Sequence, residues 1–137
     1  MLTILIALAT AQVAAPAHQR APKAVVHAMF DSFNRHDARA MQALYSEDAR
    51  LTSSDFCAPR GRQDIPRTYE ALFRTFPDVQ DSIETVVVER DRVAVKFVAT
   101  SLTGKWRLTI HTFLKVKDGL IVSDDSVFDN GGRPCEP

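Results

Sequence analysis

The sequence is short of nearly everything that advertises a function. Its 137 residues carry two cysteines, five glycines, one tryptophan and four histidines. The glycines never cluster into a phosphate-cradling loop, and neither a dinucleotide fingerprint nor a nucleophile elbow occurs. No two histidines stand at metal-ligand spacing on one element, so no metal and no cofactor is expected. Charge of one sign is missing too, because 17 Lys and Arg balance 17 Asp and Glu. A chain with no net field has no electrostatic reason to seek nucleic acid or an acidic membrane. Its expected partners are a small apolar molecule or a second copy of itself.

Long apolar runs are absent, with one exception. Residues 2–15 are interrupted only by Thr3, Thr10 and Gln12. That run is too short to span a bilayer, which takes about 20 apolar residues. Ala15-Pro16-Ala17 then supplies the small-x-small pattern of a secretory cleavage site. The expected division is a signal peptide over 1–17 and one domain over 18–137. The product is exported, periplasmic or secreted, and free of the membrane after cleavage. An uncleaved arm is the alternative. In an exported chain Cys57 and Cys135 read as one disulfide; two buried free thiols are the other reading. A loop of that length contributes about 4 kcal/mol in the chain-entropy model.

What is present is periodicity. Val25, Val26, Met29, Phe30 and Phe33 share one helical face, and Pro22 suits a first helical turn. Asn34-Arg35-His36 breaks that helix. Asp37 can cap a second, whose buried face uses Met41, Leu44 and Tyr45. A short strand is expected over 49–53 and a loop over 54–62. Asp64 can cap a third helix with Ile65, Tyr69, Leu72, Phe73 and Phe76 on one face. Pro77-Asp78 ends it. From there the period changes to two, with strands expected over 83–89, 93–100, 106–117 and 120–128. Trp106, Leu108, Ile110, Thr112, Leu114 and Val116 face one way; Arg107, His111, Phe113 and Lys115 face the other. Asp118-Gly119 is a strong hairpin signal.

The order of Asn34-Arg35-His36-Asp37, Leu44-Tyr45-Ser46-Glu47-Asp48-Ala49, Gly61, Phe76-Pro77-Asp78, Asp118-Gly119 and Asp129 resembles the SnoaL-like branch of the nuclear-transport-factor-2-like superfamily. Polyketide cyclases and ketosteroid isomerases share that fold. The resemblance covers about 25–129. It implies a cone-shaped α+β fold, with three N-terminal helices on a curved, mostly antiparallel sheet enclosing a pocket. In that fold the first short strand lies parallel to the last. Cys57 and Cys135 would then leave the same end of the sheet, which favours the disulfide. The convex sheet face, with His111 and Phe113, would form a homodimer interface.

The same resemblance supplies candidate site residues. SnoaL-like cyclases use a pocket Asp as general base. If Ile121 faces inward, strict alternation brings in Ser123, Asp125, Val127 and Asp129, so Asp125 and Asp129 are the candidate catalytic groups. Asp129 matches the closing Asp of the family, whereas Asp125 stands where relatives often carry a large aromatic. Ser53 replaces the general base of ketosteroid isomerases, Thr112 replaces their protonated oxyanion-hole Asp, and Asp55 lies two residues past the base position. Tyr45 and Tyr69 offer hydroxyl donors, and Trp106 joins them in the pocket lining. The expected function is binding of a small apolar molecule without an established reaction. The alternative is a cofactor-independent isomerase, cyclase or dehydratase.

Overall fold

The computed structural model describes residues 20–137. The expected signal peptide lies outside these described residues. The chain forms helix α1 (Pro22–Asn34), helix α2 (Ala38–Gln42), strand β1 (Tyr45–Ser53) and strand β2 (Arg60–Gly61). A 3-10 turn (Arg62–Asp64) leads into helix α3 (Ile65–Thr75). Strands β3 (Gln80–Glu89), β4 (Arg92–Ser101), β5 (Trp106–Lys117) and β6 (Leu120–Val127) follow. The class is α+β, with one six-stranded sheet in the order β2-β1-β6-β5-β4-β3. β1 runs parallel to β6, and the other pairings are antiparallel. Among the described residues no helix is long and apolar enough to cross a membrane.

α1 buries Val25, Val26, Met29, Phe30 and Phe33, the face its spacing dictates. The edge of the Phe30 ring meets Phe97 of β4 with centroids 4.9 Å apart, which pins the helix to the sheet. Asp37 caps α2 by accepting the N–H of Ala40 at 2.9 Å. That helix is only five residues long. Tyr45, expected on it, instead opens β1, because Leu44 and Tyr45 are drawn into pairing with β6 at Ile121. Asp64 does not cap α3 in the expected way. It lies in the 3-10 turn, and its carboxylate reaches back to the N–H of Gly61 at 2.9 Å.

The meander forms as the alternation requires. Val93, Val95, Phe97 and Ala99 of β4 join Leu114 and Val116 of β5 in the core beneath the helices. Asp118 and Gly119 turn β5 into β6 with φ of 51° and 75°, the left-handed pair a two-residue hairpin needs. Cys57 and Cys135 are disulfide-bonded across 78 residues of sequence. Beside them Phe56 and Glu136 form a parallel bridge that extends the β1–β6 pairing. Both cysteines therefore leave the same end of the sheet.

Candidate functional site

A cavity of about 490 Å³ opens between the helices and the sheet. Met29, Phe30 and Phe33 of α1, Leu72 of α3, and Phe97, Leu108 and Ile110 of the sheet wall it with apolar surface. That size suits a small organic ligand. Trp106 and Phe76 meet edge to face at 5.3 Å along one side. Gly104 makes room for them, since a Cβ there would overlap the Trp106 indole and crowd Phe76. His36 is not part of the wall. Its ring stacks on Phe73, and its Nε2 donates to the Val79 carbonyl at 2.8 Å, so it serves the helix–sheet junction.

The expected inward face of β6 needs correcting. Val116 pairs with Ile121, but Lys115 pairs with Ser123, so Val122 has no partner of its own on β5. One extra residue in a strand reverses every side chain beyond it. Ile121 remains inside, but Asp124 and Ser126 now face the cavity. Asp125 and Val127 turn outward and are exposed, and Ser123 also lies off the cavity. The Asp125 carboxylate instead accepts the Thr52 hydroxyl at 2.5 Å on the outer surface. Catalysis from inside the pocket by Asp125 has no geometric basis.

Asp124 occupies the inward seat and is 7% exposed. Its Oδ2 accepts the Tyr45 hydroxyl at 2.7 Å and its Oδ1 the Thr112 hydroxyl at 2.6 Å. Ser126 adds a weak third donor at 3.4 Å. Burial pushes the Asp124 carboxyl above the ordinary range, while the Thr112, Tyr45 and Ser126 hydroxyls pull the other way. Tyr45 is driven well up by its own burial, then by the adjacent Asp124. Thr112, expected by resemblance at the position of the ketosteroid isomerase acid, is one of these donors. A carboxyl reaches that end of the cavity after all, from the neighbouring strand.

A second carboxyl, Asp81, was not anticipated. It sits at the start of β3, two residues before Ile83 and on the same face. Asn34 at the end of α1 braces its backbone, accepting the Asp81 N–H at 2.8 Å and donating to its carbonyl at 2.9 Å. Part of the residue reaches the surface, yet Oδ1 is sealed from solvent and has no hydrogen-bond partner. Burial pushes this carboxyl up to about 8. Tyr69 lines the cavity within electrostatic reach of both acids. Its phenol is raised first by burial, then by Asp124, then by Asp81.

The remaining candidates divide. Asp55, Tyr69, Trp106, Thr112 and Asp129 line the cavity, as do Asn130, Arg133 and Glu136 of the C-terminal tail. Asp129 is exposed, and its carboxylate accepts the Gly131 N–H at 2.8 Å. Asp55 faces Arg133 at 3.5 Å. Tyr45 supports Asp124 from behind, off the cavity wall. Ser53 is also off the wall and accepts the Asp55 N–H at 3.3 Å. Among the described residues no three His, Cys, Asp or Glu are grouped to hold a metal ion.

Comparison with known proteins agrees with this architecture. Wild-type IdmH of Streptomyces antibioticus, provisionally described as a polyketide cyclase, superposes with a TM-score of 0.73 at 21% identity. The alignment covers 82% of this chain and 94% of that one. A provisionally assigned ketosteroid isomerase from Kribbella flavida gives 0.67 at 24% identity, covering 85% and 83%. An NTF2-like protein of unknown function from Cytophaga hutchinsonii gives 0.66 at 13% identity, covering 81% and 92%. No curated protein matches the chain. The sequence model of the SnoaL-like domain matches residues 26–124, from the first helix through the inward aspartate of the last strand, and the chain belongs to that family.

Proposed function

We propose that this protein binds a small, predominantly apolar molecule in the cavity between its helices and its sheet. The observation that carries the reading is the cavity itself: about 490 Å³, walled mainly by Met, Phe, Leu and Ile, with a few polar groups set into it. Such a hollow costs packing energy unless something fills it. The test uses N-phenyl-1-naphthylamine, an uncharged dye that fluoresces in apolar surroundings. Saturable one-to-one binding is expected. Leu108→Trp, which fills the cavity, should abolish it while the far-ultraviolet spectrum stays native. Equal binding by that variant would overturn the reading.

A second reading, proton transfer without a cofactor, is favoured by Asp124. A carboxyl held above its usual range beside hydroxyl donors suits removal of a proton α to a carbonyl, the electron pair passing to the carbonyl oxygen. Asp124 takes the part first expected of Asp125. Exchange of α-hydrogens of an apolar ketone in D₂O, followed by NMR, should be catalysed by the protein and lost in Asp124→Asn. A rate equal to buffer removes this reading and leaves the first intact.

Two further proposals concern the protein's setting. Export is supported by the apolar run over 2–15 and by the disulfide. A reporter active only outside the cytoplasm, fused after residue 137, should be active with residues 1–17 and inactive without them. Self-association through the outer sheet face is supported by Phe113, 56% exposed there, and by Val87 and Val127 on the same sheet. Light scattering should report a dimer that Phe113→Asp converts to monomer.

A further inference from the structure

We infer that the cavity selects an organic amine, a cationic nitrogen on an apolar body, with the Asp81 carboxylate as its counter-ion. The inference rests on the ligand-binding reading above and names the ligand's chemistry. Its first ground is the Asp81 carboxyl: the residue lines the cavity, and its Oδ1 is sealed away with no hydrogen-bond partner among the described residues, so no donor in the protein offsets that oxygen's burial. Buried polar atoms without partners are rare, so a carboxyl left in this state beside a cavity is one whose charge a cationic ligand would offset.

The second ground is the charge of the lining. Among the described residues it holds five carboxyls, of which burial raises Asp81 and Asp124, and no Lys or His. Arg133, the one basic residue among the described lining, is exposed and occupied with Asp55. An anionic ligand would meet two acids with nothing to offset them. The two acids are not equivalent, however. Three hydroxyls already fill Asp124, so only Asp81 gains by acquiring a new partner.

The third ground is the aromatic lining. Phe30, Phe33, Tyr69, Phe76, Phe97 and Trp106 surround the same space. Ring faces carry partial negative charge and attract cations once water is excluded. Ionisation of Asp81 is no obstacle. With the carboxyl near 8, giving up its proton at pH 7 costs about tenfold in binding. An ammonium group in contact within a low-dielectric cavity more than offsets that. A neutral carbonyl would gain only one hydrogen bond from the protonated acid.

The experiment displaces bound N-phenyl-1-naphthylamine from the full chain, disulfide intact, at pH 7. Three competitors share one skeleton: 1-naphthylmethylamine, 1-naphthalenemethanol and 1-naphthoic acid. The amine should displace the dye at concentrations about tenfold lower than the alcohol, with the acid weakest. Asp81→Asn should erase the amine's advantage and leave the alcohol within about twofold. Asp81→Leu provides a second test should the amide itself bind the amine. An alcohol as potent as the amine, or an amine advantage that survives both substitutions, overturns the inference. Failure of the dye to bind at all is a different result, and it removes the ligand-binding reading together with this one.

Discussion

The two cavity acids whose carboxyls burial raises are the same residue type in opposite circumstances. Asp124 lies in the centre of the sheet, beside the strand pair that the disulfide fastens, with every oxygen engaged by hydroxyls from β1, β5 and β6. Asp81 lies on the opposite edge strand, its backbone braced by Asn34 and its Oδ1 engaged by nothing. The difference teaches that burial alone does not define a functional carboxyl. At Asp124 the desolvation cost is met by hydrogen bonds, so the group also knits three strands together. At Asp81 it is left standing, and only a proton or a ligand relieves it.

That contrast can be broken experimentally. The largest effect is expected from Cys57→Ser with Cys135→Ser, which unfastens the Asp124 side of the sheet. A loss of about 4 kcal/mol should appear as a lower urea midpoint. Asp124→Ala strands the Tyr45 and Thr112 hydroxyls in the core and should cost about 3 kcal/mol by the same measurement. Asp81→Asn should act with the opposite sign. The neutral folded form keeps a proton that the unfolded chain releases above about pH 4. Stability is therefore complete below that pH and eroded as pH rises toward 8. The variant should be nearly neutral at pH 4 and more stable than wild type at pH 8, by on the order of 2 kcal/mol once relaxation and water entry are allowed for. Thermal melts across that range would show a flatter profile; a parallel one would mean Asp81 is not the group responsible. The smallest effect sharpens the other side. Tyr45→Phe removes one of the three donors to Asp124 and should cost about 1 kcal/mol, while moving the Asp124 titration further upward.

Much of the fold was legible because it rests on period. The α1 face, the β5 alternation and the Asp118-Gly119 turn all follow from local spacing, and the cysteine positions agreed with the strand order. The cavity chemistry was less legible for two reasons. Val122 carries no mark in the sequence that it will be the unpaired residue of a ladder. A reading by strict alternation therefore sends Asp125 inward and Asp124 out. Asp81 was hidden by a boundary: Pro77-Asp78 signals the end of a helix, and the apolar run beginning at Ile83 looks like the start of a strand. Extending the alternation backward from Ile83 by two positions would have found it. Tyr45 fits a helical face locally but joins a strand, because its pairing partner, Ile121, lies far along the chain, beyond the reach of any local pattern.

The strand order carries a consequence for biosynthesis. β6 sits between β1 and β5, so the middle of the sheet is built from the last of the six strands to be synthesised. A nascent chain ending before Leu120 can zip β3, β4 and β5 into a meander. Its first strand has only the two-residue β2 to pair with, and Cys57 has no partner. Only when β6 emerges can the meander and β1 be joined into one sheet.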